Sequence, residues 1–156
     1  MCRNEWRHQT LAKLLGSKTT ACSLFAATVF MLGLVRDFLF AIALDDQPRP
    51  LDSALLGLAV FLAGGILVLS SMIRLGVHGT YMGDYFGIHF TTRLEGFPFV
   101  LHDPMYVGSA LMFAGTALLH GSVAGLGLGL WVHICYRIAS VYEAPFTQMI
   151  YSKVQS

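Results

Sequence analysis

The chain has 156 residues, of which 55% are hydrophobic and 12% are charged, and its net charge is +1. A soluble domain carries about twice that charged fraction, so the composition predicts an integral membrane protein. A net charge this small gives no field that would attract nucleic acid. The length suits a single domain over residues 1–156. The three cysteines, Cys2, Cys22 and Cys135, lack metal-binding and disulfide spacings, so we expect free thiols.

Residues 1–18 form a basic, partly amphipathic flank without the features of a cleavable signal peptide. Residues 19–35 are apolar, and the apolar character resumes as far as Leu44. This pattern predicts a first transmembrane helix that could itself act as a signal anchor. Arg36 and Asp37 interrupt the run. Neighbours on a helix point about 100° apart, so we expect this pair to interact poorly and Arg36 to extend toward an interface.

The rest of the chain alternates polar and apolar segments. A proline-bearing turn, residues 45–52, precedes the uncharged residues 53–73, which form the clearest transmembrane helix. Residues 74–104 mix charges with aromatic residues and glycines. Residues 105–142 would make a helix about 57 Å long, far beyond a bilayer core, so a helical hairpin turning near residues 121–122 fits better. The sequence therefore predicts an all-α, polytopic transmembrane bundle with three to four spans.

The stretch GTYMGDYFG, residues 79–87, places a carboxylate among glycines and aromatic residues. On a helix its three glycines would form one stripe, which favours close helix packing. Asp84 would lie off that stripe. An acid near a bilayer interface is costly unless it is paired or hydrated, so Asp84 indicates either a functional site or a salt bridge to Arg74 or Arg93.

Gly64 and Gly65 interrupt the uncharged span. Glycines in such a helix usually serve packing or a bend, and the alternative is a slot in which a flat ligand touches the backbone. Further along, Pro104 suits a first helical turn and Asp103 its N-cap. None of the six histidines shows metal-ligand spacing, so no metal site is predicted.

The C-terminal stretch VYEAPFTQMIYSK, residues 141–153, carries Glu143 at the end of the last apolar run. Pro145 is expected to stop the helix there. A boundary glutamate is either simply solvated or, because it opposes the macrodipole at a helix C-terminus, suited to a cationic ligand.

Taken together, these stretches resemble the phospholipid N-methyltransferase family, and the similarity covers nearly the whole chain. The order and spacing of the motifs are specific, although no single motif would be. A weaker similarity extends to isoprenylcysteine carboxyl methyltransferases. The matching segments are LVLSS (67–71), GDYFG (83–87), FPF (97–99), DPMYVG (103–108), LLHGS (118–122) and YEAPFT (142–147).

This resemblance implies an S-adenosylmethionine-dependent enzyme that methylates the head-group amine of phosphatidylethanolamine or its mono- and dimethyl derivatives. It implies the endoplasmic reticulum membrane, with a mitochondrial membrane as the alternative. The family's cofactor site has a GxG segment, matched here only by Gly64, and two adjacent glutamates, matched by Glu143 beside Ala144. The family's usual first apolar segment is not found ahead of Cys2. The competing interpretations are an isoprenylcysteine-type carboxyl methyltransferase and a non-catalytic membrane subunit.

Amine methylation places clear demands on the side chains. The acceptor must be neutral to attack, whereas a free alkylammonium has a pKa near 10 that partial burial lowers. Asp84 and His120 are the candidate bases that would take the proton. Methylated head groups are cations that attract aromatic faces, so Tyr81, Tyr85 and Tyr106 are the candidate substrate contacts.

Overall fold

The computed structural model describes residues 2–88 and 96–155, and within these ranges the secondary structure is entirely helical. The prediction of an all-α protein is confirmed. The helices are α1 (Cys2–His8), α2 (Thr10–Leu14), α3 (Lys18–Asp45), α4 (Ala54–Thr80), a short 3-10 helix (Gly83–Phe86), α5 (Pro104–Leu119) and α6 (Val123–Gln155).

Three of these helices, α3, α4 and α6, are long and apolar enough to cross a bilayer. The apolar helix α5 has only 16 residues and is therefore about 24 Å long, less than the roughly 30 Å of a hydrocarbon core. Helices α5 and α6 form the expected hairpin, with its turn at residues 120–122. The predicted multi-pass bundle of three to four spans is confirmed.

The long helices alternate in direction, so their connections collect at two ends of the bundle. The hairpin end contains residues 46–53 and 120–122, and there the Ser53 hydroxyl donates a hydrogen bond to the Leu118 carbonyl at 3.1 Å. The head end contains α1, α2, residues 81–88, the start of α5 and the last turns of α6. The short length of α5 leaves a recess at the head end, which is where the candidate site lies.

Glycines bring α4 and α5 into backbone contact. A Cβ on Gly64 would lie 2.5 Å from the carbonyl oxygen of Gly108, and a Cβ on Gly115 would lie 2.5 Å from the Phe61 nitrogen. Gly57 is buried against the same helix further toward the hairpin end. Because these distances leave no room for a side chain, the two backbones pack directly, as small residues allow in membrane helices.

An aromatic cluster closes the head end. Tyr85 stacks on Phe146 with ring centroids 5.1 Å apart, and Trp6 meets the same Phe146 ring edge-on at 5.6 Å. Phe86 is 1% exposed and packs against Phe25 of α3. The N-terminal flank is therefore docked on the 3-10 helix and on the end of α6, and is not a detached basic tail.

The predicted single glycine stripe through GTYMGDYFG is wrong. The backbone leaves the helical conformation at Gly76, with φ +63°, and α4 ends at Thr80. Gly83 fits closely against the backbone of His78, where a Cβ would lie 2.6 Å from the carbonyl oxygen, and Gly87 has φ +79°. Gly76 and Gly87 thus serve two different turns, since positive φ is sterically open only to glycine and a few other residues, whereas Gly83 allows a close backbone approach.

Helix α6 continues through Pro145 to Gln155, so the expected stop at Pro145 is wrong. A proline removes its own N–H and costs the Val141 carbonyl its helical donor. Packing of Phe146 and Ile150 in the head-end cluster holds the following turns in place. Glu143 therefore lies within α6 and not at a helix C-terminus, so the expected opposition to the helix macrodipole is absent.

The expected poor pairing of Arg36 and Asp37 is also wrong. The Arg36 Nε and Nη2 atoms both donate to Asp37 Oδ1, at 2.9 and 2.8 Å. Nη1 donates to the Tyr136 hydroxyl, and the guanidinium carbon lies 4.8 Å from the centroid of the Phe113 ring. The arginine side chain is long enough to bend across the roughly 100° between neighbouring helix positions. Arg36 is therefore held by contacts with α5 and α6.

The carboxylate of Glu5, which is 2% exposed, caps α2. Its Oε1 accepts from the Ala12 amide at 2.9 Å, and its Oε2 accepts from the Leu11 amide and the Thr10 hydroxyl at 2.8 Å each. Burial raises the pKa of Glu5, but these hydrogen bonds favour the charged form. The net result is a pKa below the ordinary 4.5.

A Gly115→Ala variant tests the glycine contact. The new methyl group would force α4 and α5 apart, and overpacking of this kind costs about 1–3 kcal/mol, so we expect a lower midpoint of thermal unfolding in detergent micelles. The matched control is Gly127→Ala, where a Cβ meets nothing within 4 Å. That control should be neutral or slightly stabilising. Equal midpoints for the two variants would contradict direct backbone packing.

The Glu5 cap predicts that docking of the N-terminal flank depends on pH. Because the folded pKa lies below 4.5, the contribution is complete above that value and is lost as the pH falls through the folded pKa. Trp6 fluorescence, measured in a Trp131→Phe background, should report undocking on acidification. In Glu5→Gln this transition should be absent and docking weaker at neutral pH. An unchanged acid transition in Glu5→Gln would assign it to another group.

Candidate active site

A cavity of about 600 Å³ lies at the head end. The last turns of α4 form one wall, residues 99–103 form another, and the first turn of α5 forms the floor. Its polar lining comes from Thr80, His102, Asp103 and Tyr106, and the rest is apolar. We call this cavity the head-end cleft. Its volume falls within the roughly 300–1,000 Å³ typical of small-molecule sites.

Tyr106 joins the cleft to α6. Its hydroxyl donates to Glu143 Oε2 at 2.9 Å, and its ring stacks on Tyr136 with centroids 5.0 Å apart and planes 15° apart. Glu143 is half-buried, and it lies close enough to Asp103 for the two carboxylates to interact electrostatically. A carboxylate on an apolar helix thereby obtains one neutral donor and keeps acceptor capacity for another partner.

Asp103 occupies the expected position directly before α5, but its side chain does not cap the helix. Its backbone is left-handed, with φ +55°, and its Oδ2 instead accepts from the Ser140 hydroxyl on α6. His102 Nδ1 lies 2.9 Å from the same oxygen. The pairs 103–140 and 106–143 are one helical turn apart, so together they clamp the start of α5 to one face of α6.

Asp84 lies in the 3-10 helix at the same end of the bundle. Asp84 is half-buried, and it lies close enough to Glu143 for their charges to interact. It also interacts electrostatically with the buried thiol of Cys22. Of its two expected salt-bridge partners, Arg74 donates to the Phe97 carbonyl at 3.4 Å. The other, Arg93, lies outside the described residues. The structure therefore groups three carboxylates, those of residues 84, 103 and 143, near one cleft.

The three predicted tyrosines separate into different environments. Tyr106 lines the cleft. Tyr85 is 4% exposed and belongs to the aromatic cluster on Phe146. Tyr81 is half-buried, and its carbonyl accepts a long hydrogen bond, 3.8 Å, from Cys22 Sγ. Only Tyr106 is placed to touch a molecule in the cleft of this structure.

Two further predicted site residues lie away from the cleft. Gly64 is packed against Gly108 in the α4–α5 contact, so its predicted role in cofactor binding stays a prediction. His120 lies at the hairpin end, where its Nδ1 is 3.2 Å from Asp45 Oδ1. The rise of α5 separates it from Tyr106 by about 21 Å. The two candidate bases, Asp84 and His120, are therefore not brought together.

Some polar groups near the cleft were missed by the sequence analysis. The buried Oγ1 of Thr80 and Nε2 of His78 have no hydrogen-bond partner in the described structure. On α6, Tyr136, Ser140 and Glu143 follow an i, i+4, i+7 pattern, and this polar stripe on an apolar helix was the available signal. The described residues contain no group that could hold a metal ion, and Cys22 and Cys135 are free.

The arrangement defines a polytopic membrane protein with an acidic, aromatic-walled cleft suited to a cationic ligand. The family model for phospholipid methyltransferases matches residues 53–154, which covers α4 through nearly all of α6. The chain belongs to the phospholipid methyltransferase family. The resemblance found in the sequence is thereby confirmed.

Relatives match along nearly the whole chain. It is 48% identical to the phosphatidyl-N-methylethanolamine N-methyltransferase of Schizosaccharomyces pombe, over 96% of this chain and 80% of the relative. The Saccharomyces cerevisiae protein of the same name is 46% identical, over 97% and 77%. Human phosphatidylethanolamine N-methyltransferase is 42% identical, over 97% and 80%. No solved structure matches.

Proposed function

We propose that this protein transfers methyl groups from S-adenosylmethionine to the head-group amine of phosphatidylethanolamine or of its mono- and dimethyl derivatives. Membership of the phospholipid methyltransferase family supports the reaction class, and the names of the relatives support the acceptor. The observation that carries the site is the Tyr106–Glu143 pair beside Asp84 and Asp103 at the head-end cleft. Neither an isoprenylcysteine-type enzyme nor a non-catalytic subunit is supported by the names of these relatives.

The cleft fits the proposed methyl donor on three counts. Its volume of about 600 Å³ suits a nucleoside-sized molecule. The carboxylates of Asp103 and Glu143 offer acceptors for an ammonium group or ribose hydroxyls. The unpartnered hydroxyl of Thr80 lines the same cavity and would find a partner in a polar ligand. When bound, S-adenosylmethionine would supply the electrophilic methyl group that is bonded to its sulfonium sulfur, and nearby carboxylates would stabilise that cation.

The remaining carboxylate, that of Asp84, binds and deprotonates the acceptor amine. An ammonium drawn beside Asp84 is attracted by its charge, and partial burial in the cleft lowers the amine's pKa. Asp84 is the base that accepts the proton from the amine nitrogen, which frees its lone pair for attack. The Tyr106 ring, at the cleft floor, offers an aromatic face to the cationic methylated product. His120 is too distant to share this task in the present arrangement.

We place the reaction in the endoplasmic reticulum membrane, with a mitochondrial membrane as the alternative. The three helices that are long and apolar enough to cross a bilayer support a multi-pass membrane protein. Cell fractionation against markers of both membranes distinguishes the two locations. Labelled methyl donor supplied to membranes containing this chain, followed by separation of the mono-, di- and trimethylated lipids, tests the reaction and identifies its steps.

Paired substitutions test the division of tasks within the cleft. Glu143→Gln removes a charged acceptor and should weaken S-adenosylmethionine binding by about 1.5–3 kcal/mol, roughly 10–150-fold, without unfolding the protein. Asp84→Asn keeps the size but cannot act as a base, so it should lower turnover while binding of the methyl donor stays nearly intact. Raising the pH should partly restore the Asp84→Asn rate, because more of the amine is then already neutral.

The control is Asp52→Asn, an exposed carboxylate at the hairpin end, which should leave both quantities unchanged. Isothermal titration gives the affinity, lipid assays give the rate, and thermal unfolding checks the fold. A folded Glu143→Gln protein with normal cofactor affinity would remove Glu143 from the binding site. Full activity in Asp84→Asn would remove Asp84 from the chemistry.

A further inference from the structure

Arg36 lies deep within a transmembrane helix. It is about 27 Å along α3 from Lys18 and about 13 Å from Asp45 at the other end. Placing a charged arginine at such a depth costs desolvation free energy. Such an arginine therefore normally faces the bundle interior or a cavity where it has a partner. The ion pair with Asp37 offsets only part of this desolvation free energy, because the attraction within an ion pair held away from water does not fully compensate for the lost hydration.

The side chains of this pair open onto a groove of about 240 Å³. The groove runs between α3 and the α4–α5 pair, and its apolar walls include Phe40, Phe61 and Met112. The side chains of Arg36 and Asp37 are 45% and 49% exposed, so each packs partly against the bundle and remains partly accessible from the groove. A groove with apolar walls and a cationic end has the character of a site for an anionic group attached to hydrocarbon chains.

The guanidinium has unused donors. Three of its five N–H groups bind Asp37 and Tyr136, which leaves two without a partner among the residues that the structure describes. Arginine's planar fork matches two oxygens of a phosphate, and such charge-assisted bonds are among the stronger polar contacts. The two remaining N–H donors of Arg36 would therefore be satisfied by two phosphate oxygens that enter the groove from the bilayer.

A continuous set of contacts links the groove to the head-end cleft. Arg36 binds the Tyr136 hydroxyl, Tyr136 stacks on Tyr106, and Tyr106 donates to Glu143. A lipid whose phosphate rested on Arg36 would thus have its head group beside the wall of the cleft. Its acyl chains would remain among the apolar side chains of the groove.

We propose that Arg36 anchors the phosphodiester of the phospholipid acceptor in the groove between α3 and the α4–α5 pair. This inference rests on the proposed function, since it assigns a lipid-binding residue to the same reaction. The lipid enters sideways from the bilayer, and the anchored phosphate sets which head group reaches the cleft. The protein then selects its acceptor by the phosphate as well as by the amine.

The test compares a lipid that has the phosphodiester with one that lacks it. Phosphatidylglycerol carries the phosphodiester without an amine, and diacylglycerol carries neither. In mixed micelles, phosphatidylglycerol should inhibit methylation of phosphatidylethanolamine competitively, and diacylglycerol should not. In Arg36→Gln, the KM for phosphatidylethanolamine and the inhibition constant for phosphatidylglycerol should both rise about tenfold or more, with S-adenosylmethionine affinity unchanged. Arg36→Lys, which keeps the charge but not the fork, should show smaller increases of both.

Arg137→Gln is the matched control, because it removes the same charge from an exposed position on α6 and should leave both constants unchanged. An Arg36→Gln protein whose inhibition by phosphatidylglycerol is unchanged would overturn the proposal. So would an equal loss of turnover in Arg36→Lys and Arg36→Gln without any change in these constants, since that indicates a purely structural role.

The source of the phosphate is tested separately. Inorganic phosphate, compared with chloride at equal ionic strength, should not compete with the lipid, because the groove opens to hydrocarbon. Competitive inhibition by inorganic phosphate would assign the groove to a soluble anion and overturn the lipid assignment. Absence of any phosphatidylethanolamine methylation by the unmodified protein would instead contradict the proposed function itself.

Discussion

A carboxylate on an apolar helix must be partnered, and the Tyr106–Glu143 hydrogen bond at 2.9 Å meets that need. The same bond fixes where the start of α5 lies against α6, and the Asp103–Ser140 bond repeats the attachment one turn away. Because the donor to Glu143 is neutral, the negative charge remains available at the cleft. The interaction that stabilises the acid thus also leaves it able to attract a cation.

The cleft itself follows from helix length and glycine packing. With only 16 residues, α5 is shorter than its neighbours, and its direct backbone contact with α4 holds it in register along Gly57 and Gly64. The end of α4 therefore extends past the start of α5, and the segment before α5 covers the space between them. The recess lies where a lipid head group and a water-soluble methyl donor could both reach it.

Much of this architecture could be predicted from the sequence. The length of each apolar segment and the polar turn residues between segments determine the spans almost independently of tertiary contacts. Glu143, Asp84 and Tyr106 could be proposed as site residues from their types and order, but the sequence could not show that Tyr85 packs on Phe146 or that His120 lies at the opposite end. Pro145 misled the prediction because packing of Phe146 and Ile150 outweighs one lost helical hydrogen bond. Arg36 was taken for an interfacial residue because its contacts with Tyr136 and Phe113 depend on the assembled bundle.

Cysteine protection tests most directly whether the methyl donor binds in the head-end cleft. A cysteine replaces Leu101, an exposed residue of the cleft wall, in a protein whose Cys2 and Cys135 are replaced by serine and whose remaining Cys22 is buried. Its rate of maleimide labelling is measured with and without saturating S-adenosylmethionine, and Arg49→Cys at the hairpin end is the reference. If the methyl donor binds in the head-end cleft, position 101 should be strongly protected and position 49 should not be protected. Equal labelling rates at position 101 with and without the methyl donor, or protection at position 49, would contradict binding in this cleft.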